Sequence, residues 1–571
     1  MRVTISTRFS QSILVALSLG LAGHSGAQGI EPPAPEVVAS RMSDLSARVP
    51  GSILALNPFH NDQIAAAGGQ TIRLVSVNPY QNSWFLLEVT GEDSRTRSYH
   101  LELADPDGWT VSLSPDAELR LEGPDDAFAC TPWDDGTLRD AVESNLPYAP
   151  ICEWQVFVRN AVSGNRSNRE AMADFLRDNV LFGDSIVNLI KGTFYEDAFM
   201  VSSDEIEAED PGEVVALLGQ AALDRRPLMT PGTGFSVQGT EAGRMEAGSW
   251  YAIEDAPGIY ASTMQPGQIA DSVMRSGGNA NWLDGVENYA DVMLVAFDMS
   301  QFEIGYELGT DHPRVDWSPR PNDRAGSAGP DGFRTTDPLV RVGMISPALS
   351  DRIAATFTGG FKREHGAWRF GPMAGYNLGH HYGFMQNGVM LSRLWPGLST
   401  LYMLDDGSVG MRTWTDSDTE ELLPHIVFAR QNGVPLIEGG MPGEYVTSWG
   451  GGNWSGSAEA NLRTVRSGVC LRRIEDREFL IYGYFSSATP SALARTFQAY
   501  GCEYAMLLDM NSPELTYSAI YIQDDEDEEI ETEHLVRLMA GADQTRRDGT
   551  LIPRFLSYAD SRDFFYIVRR E

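Results

Sequence analysis

Between Ile53 and Leu121 apolar residues come in short bursts, among them TIRLVSVN and SWFLLEVT, divided by Gly, Asp, Asn and Pro clusters. Such spacing is that of antiparallel strands joined by turns, and it predicts a small β domain over residues 51–125. The pattern changes between Thr137 and Leu223. In REAMADFLRDNVLFGDSIVNLIKGTF apolar positions recur every three or four residues, which predicts helix, so residues 126–247 are read as a mainly helical middle region. Strand spacing returns near Gly248. There ADVMLVAFDMS (Ala290 to Ser300) reads as a buried strand turning into a second, FEIGYELGT (Phe302 to Thr310). Residues 248–571 are expected to fold as one unit around a mixed β-sheet, giving an α+β chain. At 571 residues the chain is too long for one ordinary core.

The first 27 residues follow another rule. Arg2 and Arg8 precede the apolar run ILVALSLGL, and Ser25-Gly26-Ala27 supplies small residues for cleavage. That order is a secretory signal peptide, with residues 28–50, including EPPAPE, as a linker. The run is shorter than the roughly 20 residues that cross a bilayer, and no later stretch reaches that length without charges. A secreted or periplasmic protein with no membrane span is expected. The four cysteines fall as sequence-local pairs, Cys130 with Cys152 and Cys470 with Cys502. Three connectivities exist in principle, and the local one is the simplest in an oxidising compartment.

Charge narrows the partners. With 43 basic and 79 acidic residues the formal charge is −36, a field that repels nucleic acid and anionic surfaces. Lys191 and Lys362 are the two lysines of the chain. Arginine therefore supplies nearly all the positive charge, and its planar fork suits bidentate binding of phosphate or carboxylate.

The chain has no GxSxG elbow, phosphate-binding P-loop, HExxH or EF-hand spacing, and neither a metal nor a cofactor is expected. His380-His381, as neighbours on a strand, would face opposite ways and ligate one metal poorly. What remains is a series of blocks in fixed order: ATFTGGFK, HHYGFMQNGVML, LYMLDDGSVGMRTW, RQNGVPLIEGG, RTVRSGVCL and PSALARTFQAYGCEYAMLLDMN. In that order, over about Ala290 to Ile522, the chain resembles the phosphodiester glycosidase family. The resemblance implies a glycine-bearing turn at Thr358-Gly359-Gly360, an arginine strand, and a helix leading to a strand that ends on an acid, Asp509. Two departures stand out. Thr358 replaces the family's Asn, and Met510-Asn511-Ser512-Pro513 replaces its glycine-rich turn, which marks a variant branch.

Those residues suggest a site for a carbohydrate or sugar-phosphate ligand. Asp509 is the first choice for nucleophile or base, and Glu438 in PLIEGG is the second carboxylate of a glycosidase pair. Arg466, with Arg463 as its alternative, would hold phosphate. Gly359 and Gly360 would let backbone amides approach the anion, and Lys362, Thr358 and Asn511 complete the binding set. Each has a plainer reading: a turn cap for Asp509, a surface residue for Glu438, an ion-pair member for Arg466. Two functions follow, hydrolysis of a glycosyl phosphodiester or a non-catalytic carbohydrate-binding or scaffold role. Convergence of Asp509, Glu438 and Arg466 in one pocket distinguishes the first.

Overall fold

The computed structural model describes residues 34–46, 57–166, 212–230, 232–240, 243–313, 336–362, 382–448, 461–523, 530–547 and 549–570. The expected signal peptide, the helical pattern after Arg169, His380-His381 and the acidic run 524–529 lie outside them. The described chain is mostly β-sheet with few helices, and every strand ladder in it is antiparallel. The sheet expected to be mixed is thus antiparallel, because hairpins and sheet-to-sheet turns supply most of the connections.

The N-terminal β region extends past residue 125. Strands Tyr148–Ile151 and Val156–Arg159 complete a six-stranded sheet begun by Asn61–Ala67, and a three-stranded sheet holds Ala127–Cys130. Leu74, Leu87, Leu101, Leu119 and Val158 form its core. Within the middle region the described α-helices are Thr137–Glu143 and Glu213–Leu218. The span read as linker holds a helix, Pro35–Ser46, whose Val38 is buried against Phe59 and Trp414.

Three further sheets form the C-terminal part. An eight-stranded sheet carries Val292–Asp298, Thr464–Ile474, Arg477–Ala488 and Tyr504–Met510. One five-stranded sheet carries Phe302–Glu307, Ile353–Thr358 and Phe564–Arg569; another carries Ile426–Gln431. The paired strands expected at Ala290–Thr310 are both present, but the turn between them carries the chain from one sheet to the other. Helix Pro490–Ala499 is capped by the Thr489 hydroxyl and buries Leu493 and Phe497 on the eight-stranded sheet. The opposite face of that sheet packs Val469, Tyr482 and Leu508 against Phe357, Phe428 and Phe565 of the other two. Where the three sheets meet, the candidate site is assembled.

Candidate functional site

Asp509 lies near the end of strand Tyr504–Met510, at a bulge where Arg466 pairs with Met510 but Gly468 pairs with Leu507. The extra residue turns the Asp509 side chain toward the two five-stranded sheets. There Oδ2 accepts a hydrogen bond from Nη1 of Arg562, and Oδ1 accepts one from the Met510 amide at 2.9 Å. Only 6% of the residue is exposed. Burial raises the proton affinity of this carboxyl above the usual aspartate range, with Arg562 and His312 offsetting part of the effect.

A second carboxylate lies beside it. Asp563 opens the strand Phe564–Arg569 and is enclosed by His312 Nδ1 on Oδ1, with Arg430 Nε at 2.8 Å and the Tyr306 hydroxyl at 3.1 Å both donating to Oδ2. Burial alone would raise its proton affinity. Arg430 and His312 outweigh that and hold the carboxyl well below the usual range. An ionised Asp563 fixes Nδ1 of His312 as the donor, which leaves Nε2 as the basic nitrogen. The two carboxyl groups are thus neighbours with opposite tendencies, the pattern that separates acid from base roles.

Gly359 joins the two by its main chain. Its amide donates to the Asp563 carbonyl at 2.9 Å, and its carbonyl accepts from the Asp509 amide at 3.0 Å. A Cβ at 359 would lie 2.3 Å from Asp563 Oδ2, and one at 360 would lie 2.6 Å from Asn432 Cγ, so both positions require glycine. Asn432 in turn accepts from the Phe361 amide at 2.7 Å and donates to the Leu507 carbonyl at 2.6 Å. The Gly359 amide, expected to meet an anion, is occupied by Asp563 instead.

The expected three-residue convergence does not occur. Glu438 is exposed, accepts from the Thr413 hydroxyl at 2.6 Å, and stands opposite Tyr504 in the ladder. Tyr504 is five residues along the strand from Asp509, so the two carboxylates are roughly 16 Å apart at about 3.3 Å per residue. A glycosidase pair spans about 5–9.5 Å. Arg466 is fully buried on the opposite face, where the helix Pro490–Ala499 packs. It donates to the carbonyls of Ala488 and Leu462, both at 2.8 Å, and burial lowers its pKa to about 9. Arg463 pairs with Asp284 at the surface. Thr358 is buried, donating to the Leu515 carbonyl at 2.7 Å. Asn511, with φ +92°, forms the turn after the strand, and its amide donates to the Val465 carbonyl at 2.7 Å. Lys362 is half-buried just past Gly359-Gly360.

Of the residues expected at a site, Asp509, Gly359 and Gly360 lie at this locus, where His312, Arg430, Arg562 and Asp563, not among those expected, join them. Arg430 stands in the quoted block RQNGVPLIEGG; Arg562 and Asp563 stand in SRDFF just before the last strand. Both disulfides, Cys130–Cys152 and Cys470–Cys502, are formed, with Cα separations of 5.8 and 6.0 Å. Among the described residues no group of three or more His, Cys, Asp or Glu is placed to hold a metal ion, and no helix is long and apolar enough to cross a membrane.

No family model matches the chain, and no curated protein matches it. Among solved structures it is similar to the zebrafish N-acetylglucosamine-1-phosphodiester alpha-N-acetylglucosaminidase catalytic domain auto-inhibited by pro-peptide. The likeness covers 56% of this chain and 85% of that one, at 9% identity and a TM-score of 0.30. It is a weak structural resemblance, and it leaves the chemistry to be read from the residues themselves.

Proposed function

We propose that the chain is an exported hydrolase acting on a sugar joined through a phosphodiester, its site carried by a C-terminal domain over residues 248–571. The observation that supports this reading is the buried Asp509–Arg562 pair beside the His312–Asp563–Arg430 cluster. It offers an arginine fork for an anion, an oriented histidine base and a carboxyl group of altered proton affinity within one locus. The order of sequence blocks that resembles phosphodiester glycosidases points the same way. Two closed disulfides accord with export.

In this reading Arg562 turns from Asp509 to a phosphate oxygen, and Asp509 is left as an anion facing the sugar's C1. His312 Nε2 takes a proton from water as the water oxygen bonds to C1. The C1–O bond breaks, and the phosphate leaves as a monoester carrying that oxygen and the bonding pair. A phosphate monoester is already a good leaving group, so no second glycosidase carboxylate at Glu438 is needed. Arg430, whose fork is filled by Asp563 and the carbonyls of Phe361 and Gln431, holds Asp563 in place.

The test is incubation of the purified mature chain with a panel of sugar 1-phosphodiesters, following free sugar. Release that is lost in Asp509→Asn and His312→Gln supports hydrolysis. The mutual satisfaction of Asp509 and Arg562 also suits a site that only recognises its ligand, and calorimetric binding without sugar release would establish that alternative.

A further inference from the structure

The N-terminal β region does more than precede the site. Its last strand, Val156–Arg159, ends on an arginine with no exposed side-chain surface, whose guanidinium lies between Glu102 of its own sheet and Glu307 at 2.7 Å. Glu307 closes the strand that also carries Tyr306, the Asp563 partner, and leads into the turn that carries His312. The chain then brings Gly164, Asn165 and Arg166 against the loops that bear the site residues. The Asn165 amide donates to the Ala559 carbonyl at 2.9 Å, and its carbonyl accepts from the Ser561 amide at 3.0 Å. This is a parallel bridge opposite Asp560.

The same 559–563 stretch holds the histidine turn on its other side. The amides of Thr310 and Asp311 donate to the carbonyls of Asp560 and Ser561, at 3.0 and 3.1 Å. Arg166 forms an ion pair with Asp311, the residue before His312. Gly164 fills the angle between the two loops. A Cβ there would come within 2.2 Å of Thr310 Oγ1, 2.5 Å of the Asp560 carbonyl carbon and 2.6 Å of the Ser561 nitrogen. Two of those three atoms are main chain and have little freedom to yield.

We infer that Gly164, Asn165 and Arg166 are positioning residues of the site: the end of the N-terminal β region is a strap that sets the His312 turn against Arg562 and Asp563. Its bearing on catalysis rests on the hydrolase reading above; its bearing on His312 does not. The strap touches both loops and reaches neither carboxylate, so it acts through the backbone spacing of residues 310–312 and 560–563. A strap residue that is too large, or of the wrong charge, should displace His312 from Asp563 while leaving the surface His425–Asp405 pair, at 3.0 Å, as it is.

The experiment uses the full chain with 13C-labelled histidine, nine residues in all, so that imidazole signals can be followed one by one at fixed pH. Signals are assigned by single His→Gln variants. Gly164→Ala and Arg166→Asp should each shift the His312 signal and leave that of His425 in place, and the double exchange Arg166→Asp with Asp311→Arg should return His312 toward its parent position. On a responsive sugar phosphodiester, kcat should fall about tenfold or more with KM changed less than threefold. If Gly164→Ala does not fold, the charge exchange alone decides. A His312 signal unmoved in folded Arg166→Asp, or His312 and His425 moving together, would overturn the proposal. A moved His312 signal in a chain that hydrolyses no member of the panel would keep the strap and reject the hydrolase.

Discussion

Arg562 reaches the carboxylate of Asp509 from a loop 53 residues further along the chain, and the two close on each other with little access to water. Neither was brought there by local sequence; the meeting of two sheets did it. Removing one partner therefore leaves a buried group without its counter-charge, while removing both does not. Arg562→Ala should destabilise the fold by roughly 3–5 kcal/mol at neutral pH. Asp509→Asn in that background should restore part of the loss.

The sign of the pH effect follows from the same pair. Arg562 lowers the proton affinity of Asp509, so its loss raises the folded-state pKa further above the unfolded value. A carboxyl group with a raised folded pKa is least costly when protonated. The Arg562→Ala penalty should therefore be larger at pH 8 than at pH 5, measured by urea unfolding at each.

Glu307 provides a second titration, away from the chemistry. Burial pushes its pKa to about 7 from an ordinary value of 4.5; Arg159 opposes that, and the like charge of Glu102, which shares the same guanidinium, adds to it. Since the folded pKa is raised, the stability it allows is fully present below about 4.5 and is lost as pH rises from there to about 7. Glu307→Gln should flatten that decline. Each tenfold difference in proton affinity between folded and unfolded chain is worth about 1.36 kcal/mol. The parent-minus-variant difference in urea-unfolding free energy should therefore change by up to a few kcal/mol across the window and stay constant above it.

Arg466 and Glu438 should respond in ways that exclude them from the chemistry. Arg466→Ala orphans the carbonyls of Ala488 and Leu462 in the core and should cost about 1–3 kcal/mol per lost partner. Its effect will be on folding, with any remaining folded protein binding ligand normally. Glu438→Gln, at the surface, should leave stability within about 0.5 kcal/mol and turnover at the parent level. Thermal unfolding alongside sugar release separates the two cases.

Peptide mapping without reduction should recover Cys130 linked to Cys152 and Cys470 linked to Cys502. The latter ties strand Thr464–Ile474 to a residue just after helix Pro490–Ala499. Closing chain segments of 22 and 32 residues is worth roughly 3–4 kcal/mol each in the chain-entropy model. Reduction should lower the midpoint of urea unfolding accordingly.

Much of the strand content was legible. The apolar bursts TIRLVSVN and SWFLLEVT are strands, as their spacing predicts, and the helix at Pro490 and the strand leading to Asp509 stand where the resemblance implied them. The local cysteine pairing, the simplest of three connectivities for an oxidising compartment, is the one formed. Of the residues gathered around Asp563, Asp509 and the two glycines were the ones expected. His312 and Asp563 are 251 residues apart, and Arg430 and Asp563 are 133 apart, with no local motif to announce either contact. Arg466 misled for another reason. Strand alternation places it relative to Asp509 only if the ladder is regular, and the bulge between Arg466 and Gly468 breaks that parity. Strands Val156–Arg159 and Tyr148–Ile151 fell outside the expected β region because each is only four residues long, too brief for alternation to register.

The single residue Gly359, bonded through its amide to one acid and through its carbonyl to the other, makes the interval between Asp509 and Asp563 a property of the main chain. Side chains around the site can be exchanged without altering that interval. The backbones of the two acids are thus held by a gauge that belongs to the end of a third strand, Ile353–Thr358, and to neither of their own.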